Sequence, residues 1–386
     1  MRAVLARELR RIRSRPMEPL LLLALPGLAL ALSWAIFSAG LPRELPVAVL
    51  DRDHTRLSRQ LVRLVDATPT IRVSERPEDP RAAEELVLSG RAYAWLLVPE
   101  GFERDVRLGR RSPVVAYTNA QLLVPASLVK RDLQAAVGTF SAGVKLRRLR
   151  AAGETGESAA ARFEPVRAEL HALFNPQLDY VTYIVSALFP TLLHVFVLLA
   201  AVNSLGSELR EGTAGEWLAA AGGSLPRALA GKLLPGTVCF LLVAGAAAAF
   251  LFGVHGVPLR GSPGLLLLGT LGFVLAYQAL GVLLVALSAN LRFATSMAAF
   301  LASPAFAYAG ITFPTMGMPA FARFWGALLP LTHYLRLLVD QSLKGAPASV
   351  DAVPLAALFA TALACVLAAG PRLRRVALDP RYWGRL

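Results

Sequence analysis

Ser207-Glu208-Leu209-Arg210-Glu211-Gly212-Thr213-Ala214-Gly215-Glu216-Trp217-Leu218 is a charged, turn-forming island between two long apolar runs. Thr213 and Glu216 have the spacing of a capping box, in which the Thr hydroxyl accepts from the Glu216 amide and the Glu216 carboxylate reaches back. Trp217 to Ala221 supply helix formers, and Gly222-Gly223 offer a left-handed stop. The pattern predicts a short surface helix between two membrane spans, carrying its acidic groups toward solvent. A soluble partner can grip such a helix.

Working outward, the 386-residue chain is 55% hydrophobic with a mean hydropathy of +0.52. Several runs of about 20 residues are nearly free of charge, the length that crosses a hydrocarbon core of ~30 Å. The chain reads as an α-helical integral membrane protein. Its net charge of +14 calls for no nucleic acid. Arginines cluster beside apolar runs, where anionic headgroups attract them and where they set orientation. Cys239 and Cys365 fall inside expected spans and read as small buried apolar residues, not as a disulfide framework.

Residues 1–16 place Met1, Val4, Leu5, Leu9 and Ile12 on one helical face with arginines around the rest, an amphipathic interfacial helix. Residues 17–41 are the first expected span. A basic start before an apolar run also describes a signal peptide cut near Ser38-Ala39. The run is long for that, and Phe37 suits the small-residue position poorly, so an uncleaved span is expected. Residues 42–177 change character: strands expected at 46–51, 70–73, 92–98 and 113–117 alternate with helices at 55–65, 80–88 and 102–108. That alternation predicts an inserted α/β domain. Helical patterns at 124–149 and 158–173, with a turn at Gly153–Gly156, suggest a stalk back to the membrane.

Further spans are expected at 178–206, 230–254, 263–289, 293–312 and 350–370, with the charged island in a 207–229 loop. Gly245, Ala249 and Gly253 form a ladder of small residues suited to close helix packing. Residues 313–349 are broken by prolines, and Pro319–Leu328 is too short to cross, so a re-entrant or interfacial helix is expected there. Residues 371–386 form a basic, aromatic tail. With both termini, residues 207–232 and residues 288–293 on one side, that side holds 15 Arg and Lys in short segments against four opposite. The positive-inside rule then favours six spans with both termini cytoplasmic and residues 42–177 outside.

This pattern resembles the permease subunits of ABC-2 type exporters, in particular the multidrug and antibiotic efflux subfamily with a large periplasmic domain between the first two helices. The resemblance covers nearly the whole chain. Its most specific part is Glu208-Leu209-Arg210-Glu211-Gly212-Thr213-Ala214-Gly215-Glu216-Trp217-Leu218, followed by Pro226 and Gly231-Lys232. Gly310, Phe313-Pro314, Pro319, Pro330, His333 and Tyr334 look like the family's segment before the last helix, and Asp51 and Asp53 after the first exterior strand also fit. Trp217 and the alanines after it depart from the family's leucine-rich text. The resemblance implies a coupling helix at 207–221 that docks on an ATPase subunit through Glu208, Arg210, Glu211, Gly212, Thr213 and Glu216. It also implies a second permease chain, identical or paralogous, a bacterial inner-membrane location and a periplasmic adaptor leading to an outer-membrane channel.

The chain has no Gly-x-x-x-x-Gly-Lys-Ser/Thr phosphate loop, so ATP and Mg are expected on a separate subunit, with no cofactor here and no enzyme activity of its own. The five histidines are scattered singly, without metal-ligand spacing. His194 and Asn203, polar within a span, are candidates for a substrate pathway; the alternative for His194 is a histidine hydrogen-bonded inside the bundle. Asp51 and Asp53 read as turn or capping residues rather than a catalytic pair. Few charges in the spans suit a hydrophobic or amphipathic substrate, with an envelope lipid or lipid-linked glycan as the rival cargo. A membrane-anchored periplasmic sensor is the rival of another class. It expects a cytoplasmic signalling domain, for which the basic tail has no room.

Overall fold

Thirteen residues of the amino terminus, Arg2–Ser14, form α1, and Pro16 starts a separate helix, α2 at Met17–Phe37, with a π-turn over Leu20–Ala24. The computed structural model describes residues 1–38, 42–151, 174–175, 179 and 181–384. The chain divides into two compact units, residues 1–38 with 173–386, and residues 39–172. The face that α1 buries is the middle of the apolar face expected from sequence, Val4 and Ile12, with Glu8 between them. Met1 and Leu9 are about half exposed, while Val4 and the carboxylate of Glu8 are buried. Opposite charge on a neighbouring helix draws Glu8 into that face.

In the second unit, β1 (Leu45–Asp51), α3 (Arg56–Asp66), β2 (Ile71–Glu75), α4 (Pro80–Leu88), β3 (Ala94–Val98), α5 (Phe102–Leu108) and β4 (Val115–Thr118) follow in order. The sheet order is β2-β1-β3-β4, with β1 parallel to β2 and β3, and β4 antiparallel to β3. Thr55 and Ser58 close a reciprocal capping box on α3, and Asp79 caps α4 just before Pro80. Asp51 Oδ1 accepts from the amides of Asp53 and His54, and Asp53 Oδ2 accepts from the Glu103 amide at 3.0 Å, so both aspartates hold the turn. Alternate strand residues divide between two faces. Val47, Val49, Leu96 and Val98 pack with Leu61 and Val65, and Ala48, Leu50 and Trp95 pack with Ala83.

The helix α6 (Leu123–Ala151) begins as a cover for this sheet rather than as a stalk. Val129, Leu133, Ala136 and Phe140 recur at helical spacing and are buried in the first of those two clusters. Asp132 accepts from the Thr70 amide at 3.2 Å and ties α6 to the head of β2. The second expected stalk helix at 158–173 and its turn at 153–156 lie outside the described residues.

The remainder of the first unit contains α7 (Val181–Arg210), α8 (Ala214–Ala220), α9 (Leu225–Val254) and α10 (Pro263–Ser288). Then come α11 (Leu291–Ala302), α12 (Ala305–Tyr308), α13 (Ala320–Leu328), α14 (Pro330–Val339) and α15 (Ala348–Leu378). Among the described residues five helices are long and apolar enough to cross a bilayer: α2, α7, α9, α10 and α15. The expected span at 293–312 is not one helix. Ser303 and Pro304 part α11 from α12 because Pro304 has no amide to donate. The 12 residues of α11 rise only ~18 Å, short of a ~30 Å core.

α10 is the most buried of the five. At Gly281 a Cβ would stand 2.8 Å from that of Ala201, so α7 crosses α10 with backbones nearly in contact. Among the described residues the ladder expected to serve such packing meets no neighbour: nothing lies within 4 Å of a Cβ at Gly245 or Gly253. Pro319–Leu328 does contain a short helix, α13, but α14 directly after it was not expected. Leu331, Tyr334, Leu335 and Leu338 bury its apolar face. α15 continues through the first part of the expected tail, and Arg372 donates to the carbonyls of Ala286 and Leu287 at the end of α10 (2.8 and 3.0 Å).

Candidate functional site

The charged island folds as the end of α7, a turn, and α8. Gly212 takes the left-handed conformation (φ +72°), the Thr213 amide donates to the Glu208 carbonyl at 2.9 Å, and α8 runs for seven residues. Gly222 and Gly223 follow at φ +66° and +75°, with the Gly223 amide on the Leu218 carbonyl, a left-handed stop as the sequence suggests. The capping box is not formed. Thr213 makes no side-chain cap; its hydroxyl donates instead to Glu208 Oε2 at 2.5 Å. The charge-assisted bond to the carboxylate is stronger than a neutral cap and sets the orientation of the hydroxyl.

Glu208 itself is only 4% exposed, so the expectation that it faces solvent is corrected. It accepts from Lys232 Nζ at 2.7 Å and Arg7 Nη2 at 2.9 Å. Lys232 is equally buried and reaches Glu8 Oε2 at 2.8 Å. Glu8 pairs with Arg11 at 2.6 Å and accepts from the Ser204 hydroxyl, while Arg11 also reaches Glu18 at 3.0 Å and donates to Ser207 Oγ. Three cations (Arg7, Arg11, Lys232) thus face three carboxylates (Glu8, Glu18, Glu208), a balanced cluster joining α1, α2, α7 and α9. Burial alone would push the Glu8 carboxyl up; Lys232 and Arg11 beside it prevail and hold it below the usual carboxylate range.

At the outer edge of the cluster Arg15 grips Glu211 with two nitrogens at 2.7 and 2.6 Å. That pairing, opposed by partial burial and reinforced by Arg210, brings the Glu211 carboxyl down to about 2. The groups left facing outward are Glu216, 78% exposed, with Arg210 and the rim of Glu211. Trp217 turns inward and donates from Nε1 to the Ala228 carbonyl at 3.3 Å, fixing α8 to the start of α9. From the other end of the chain Trp383 lies against the turn. A Cβ at Gly215 would stand 3.1 Å from its ring, and the Gly384 amide donates to the Leu209 carbonyl at 3.0 Å.

The remaining sequence candidates lie in three places. Asn203 donates to Glu18 at 3.0 Å and belongs to the ion cluster. His194 is 1% exposed, packed inside the bundle against the Tyr277 ring (centroids 4.9 Å) and beside the backbone of Thr191 and Ala302. In the segment before α15, Gly310 (φ +81°), Phe313 and Pro314 form an exposed turn, Pro319 precedes α13, and Pro330 opens α14. His333 bonds the Ala327 carbonyl at 2.8 Å, whereas Tyr334 is buried, stacked on Phe273 at 4.5 Å and sharing a hydrogen bond with Thr270.

Sequence reasoning did not assign Glu8, Arg11, Glu18 or Lys232 to this site. Glu8, Glu18 and Lys232 each had a visible signal: an acid amid arginines, an acid at the head of an apolar run, and a lysine inside one; Arg11 had none that set it apart from its neighbouring arginines.

A family model described as ABC-2 family transporter protein matches residues 20–370. The chain belongs to the ABC-2 transporter family. No curated protein matches it. As an ABC-2 permease it is a multi-pass membrane component of an ABC transporter that works with an ABC ATPase subunit. The ion cluster then lies directly behind the segment that separates its second and third long apolar helices.

Proposed function

We propose that the protein is the permease of an exporter that moves a hydrophobic or amphipathic molecule out of the cytoplasm or the inner leaflet of a bacterial inner membrane. Two permease chains pair, and α8 with its preceding turn is the coupling element docked on the ATPase. The observation that carries this reading is the charge-balanced cluster around Lys232. It makes α1, the ends of α2 and α7, and the start of α9 one rigid piece beneath α8. A helix so backed transmits displacement instead of absorbing it. The docking groups are Glu216, Arg210 and the rim of Glu211, while Glu208 and Thr213 hold the lever together from inside.

In this reading ATP-driven closure of two partner subunits draws the coupling helices together and switches access across a pathway between α2, α7 and the broken pair α11–α12. His194, a buried polar residue of α7, is the candidate polar group of that pathway. Residues 42–177 lie on the far side of the membrane from α8, where they receive substrate or dock an adaptor.

The test is ATPase activity of the co-purified complex reconstituted in lipid. Glu216→Lys combined with Arg210→Glu should lower activity about tenfold while the complex still assembles, the scale of ~1.4 kcal/mol in coupling. Unchanged activity in an assembled complex would remove α8 from the coupling role.

A further inference from the structure

The α/β unit carries a groove of about 980 Å³ between α5, the 109–114 loop and the second half of α6. That volume is at the upper end of small-molecule sites. Its floor is apolar: Phe102 and Phe140 stack at 5.8 Å between centroids, and half-buried Val106, Val137 and Val144 continue the surface outward. Its rim is basic. Arg110, Arg111 and Arg148 line it, and no carboxylate is among the described residues that line it. Among the described residues Arg110, Arg111 and Arg148 form no ion pair. At the lip Gly109 is left-handed (φ +77°), and the Arg148 guanidinium occupies the space a Cβ there would need, with Nη2 2.5 Å from that position.

We infer that this groove binds a single-chain anionic amphiphile of the fatty-acid kind, its tail along the valine and phenylalanine floor and its carboxylate among the arginines. Two features select that occupant. Three clustered guanidinium groups with no ion pair among the described residues focus a positive potential that an anion relieves, and guanidinium forks match a carboxylate with two hydrogen bonds. A small hydrophilic anion would leave the floor wet, and a neutral chain would leave the rim unmet. The floor is continuous with the main core cluster of the unit, so the tail extends a surface that the fold already builds. Binding here stands without the transport reading; only the groove's part in handling exported cargo rests on it.

The experiment uses the full chain in phosphatidylcholine nanodiscs with dodecanoate bearing a mid-chain diazirine. After illumination, digestion and mass spectrometry, label is expected on peptides covering 102–114 and 137–148. Excess dodecanoate should suppress that label about tenfold, while dodecanol and acetate should not. Arg110→Gln with Arg111→Gln should cut it by a similar factor, with label on the membrane helices unchanged as the control for folding. Gly109→Val, which displaces Arg148, should weaken it in the same direction. Label confined to residues 17–37 and 181–378, suppression by dodecanol equal to that by dodecanoate, or groove label indifferent to loss of the arginines would each overturn the assignment. No ATPase enters this readout, so its failure leaves the coupling role intact, and a failed coupling test leaves the groove intact.

Discussion

Lys232 is a buried ammonium between two buried carboxylates at 2.7 and 2.8 Å. Such a cluster is tolerable because its charges balance and its lone pairs are occupied; removing one member leaves the others unpaired. Lys232→Met should therefore lower stability by about 3–5 kcal/mol, read as a drop in the thermal midpoint of the purified protein. Adding Glu8→Gln and Glu208→Gln should restore much of the loss, since the uncompensated charges go with them. A triple variant no better than the single one would show that packing, not charge, is what matters there. Glu211 behaves differently because it sits at the rim. Its carboxyl is held at about 2, below its ordinary 4.5, so its pairing with Arg15 is complete above 4.5. That contribution fades as the pH falls through the interval toward 2. Glu211→Gln should lower stability at neutral pH, where the pairing is complete, and flatten its pH dependence in that interval, so that the difference from the parent closes toward pH 2; an unaltered acid profile would contradict the pairing.

At the scale of elements, the turn between α7 and α8 is shaped by what packs on it. Gly212 supplies a positive φ that its β-carbon-bearing neighbours cannot adopt without strain, and Gly215 supplies room for Trp383. Gly215→Leu should expel the Trp383 ring and free the segment after Leu378. Trypsin cleavage after Arg381 should then accelerate about tenfold, and Trp383→Ala should abolish the difference between the two glycine backgrounds. Equal cleavage rates in both would mean that the aromatic clasp does not hold the tail. The broken pair α11–α12 marks the opposite situation. Hydrophobicity over 293–312 reads as a span, yet one proline denies the helix a donor and splits it.

Across the whole molecule, the proposed mechanism needs α8 and the α/β unit on opposite faces of the bilayer. On a background with Cys239 and Cys365 replaced by alanine, single cysteines at Ala219 and Ser89, both exposed, report their sides. An impermeant maleimide added to spheroplasts should label position 89 and reach position 219 only after lysis. Labelling of both in intact spheroplasts would end the export reading.

Run length, charge placement and turn chemistry are local properties, and they were legible. Long apolar runs predicted α2, α7, α9, α10 and α15, alternation predicted the strands now seen as β1 to β4, and Gly222-Gly223 predicted the stop of α8. The island at 207–218 was legible as a separate helical turn for the same reason. Partner choice was not legible, because it depends on which charges are brought together through space. Glu8 and Lys232 are 224 positions apart, and Trp383 meets Gly215 from near the other end of the chain. Sequence determined that a charged segment interrupts the membrane helices. Only the tertiary structure decided that Glu208 and Thr213 face inward to an ion cluster, since a carboxylate leaves water only where enough opposite charge converges to meet it.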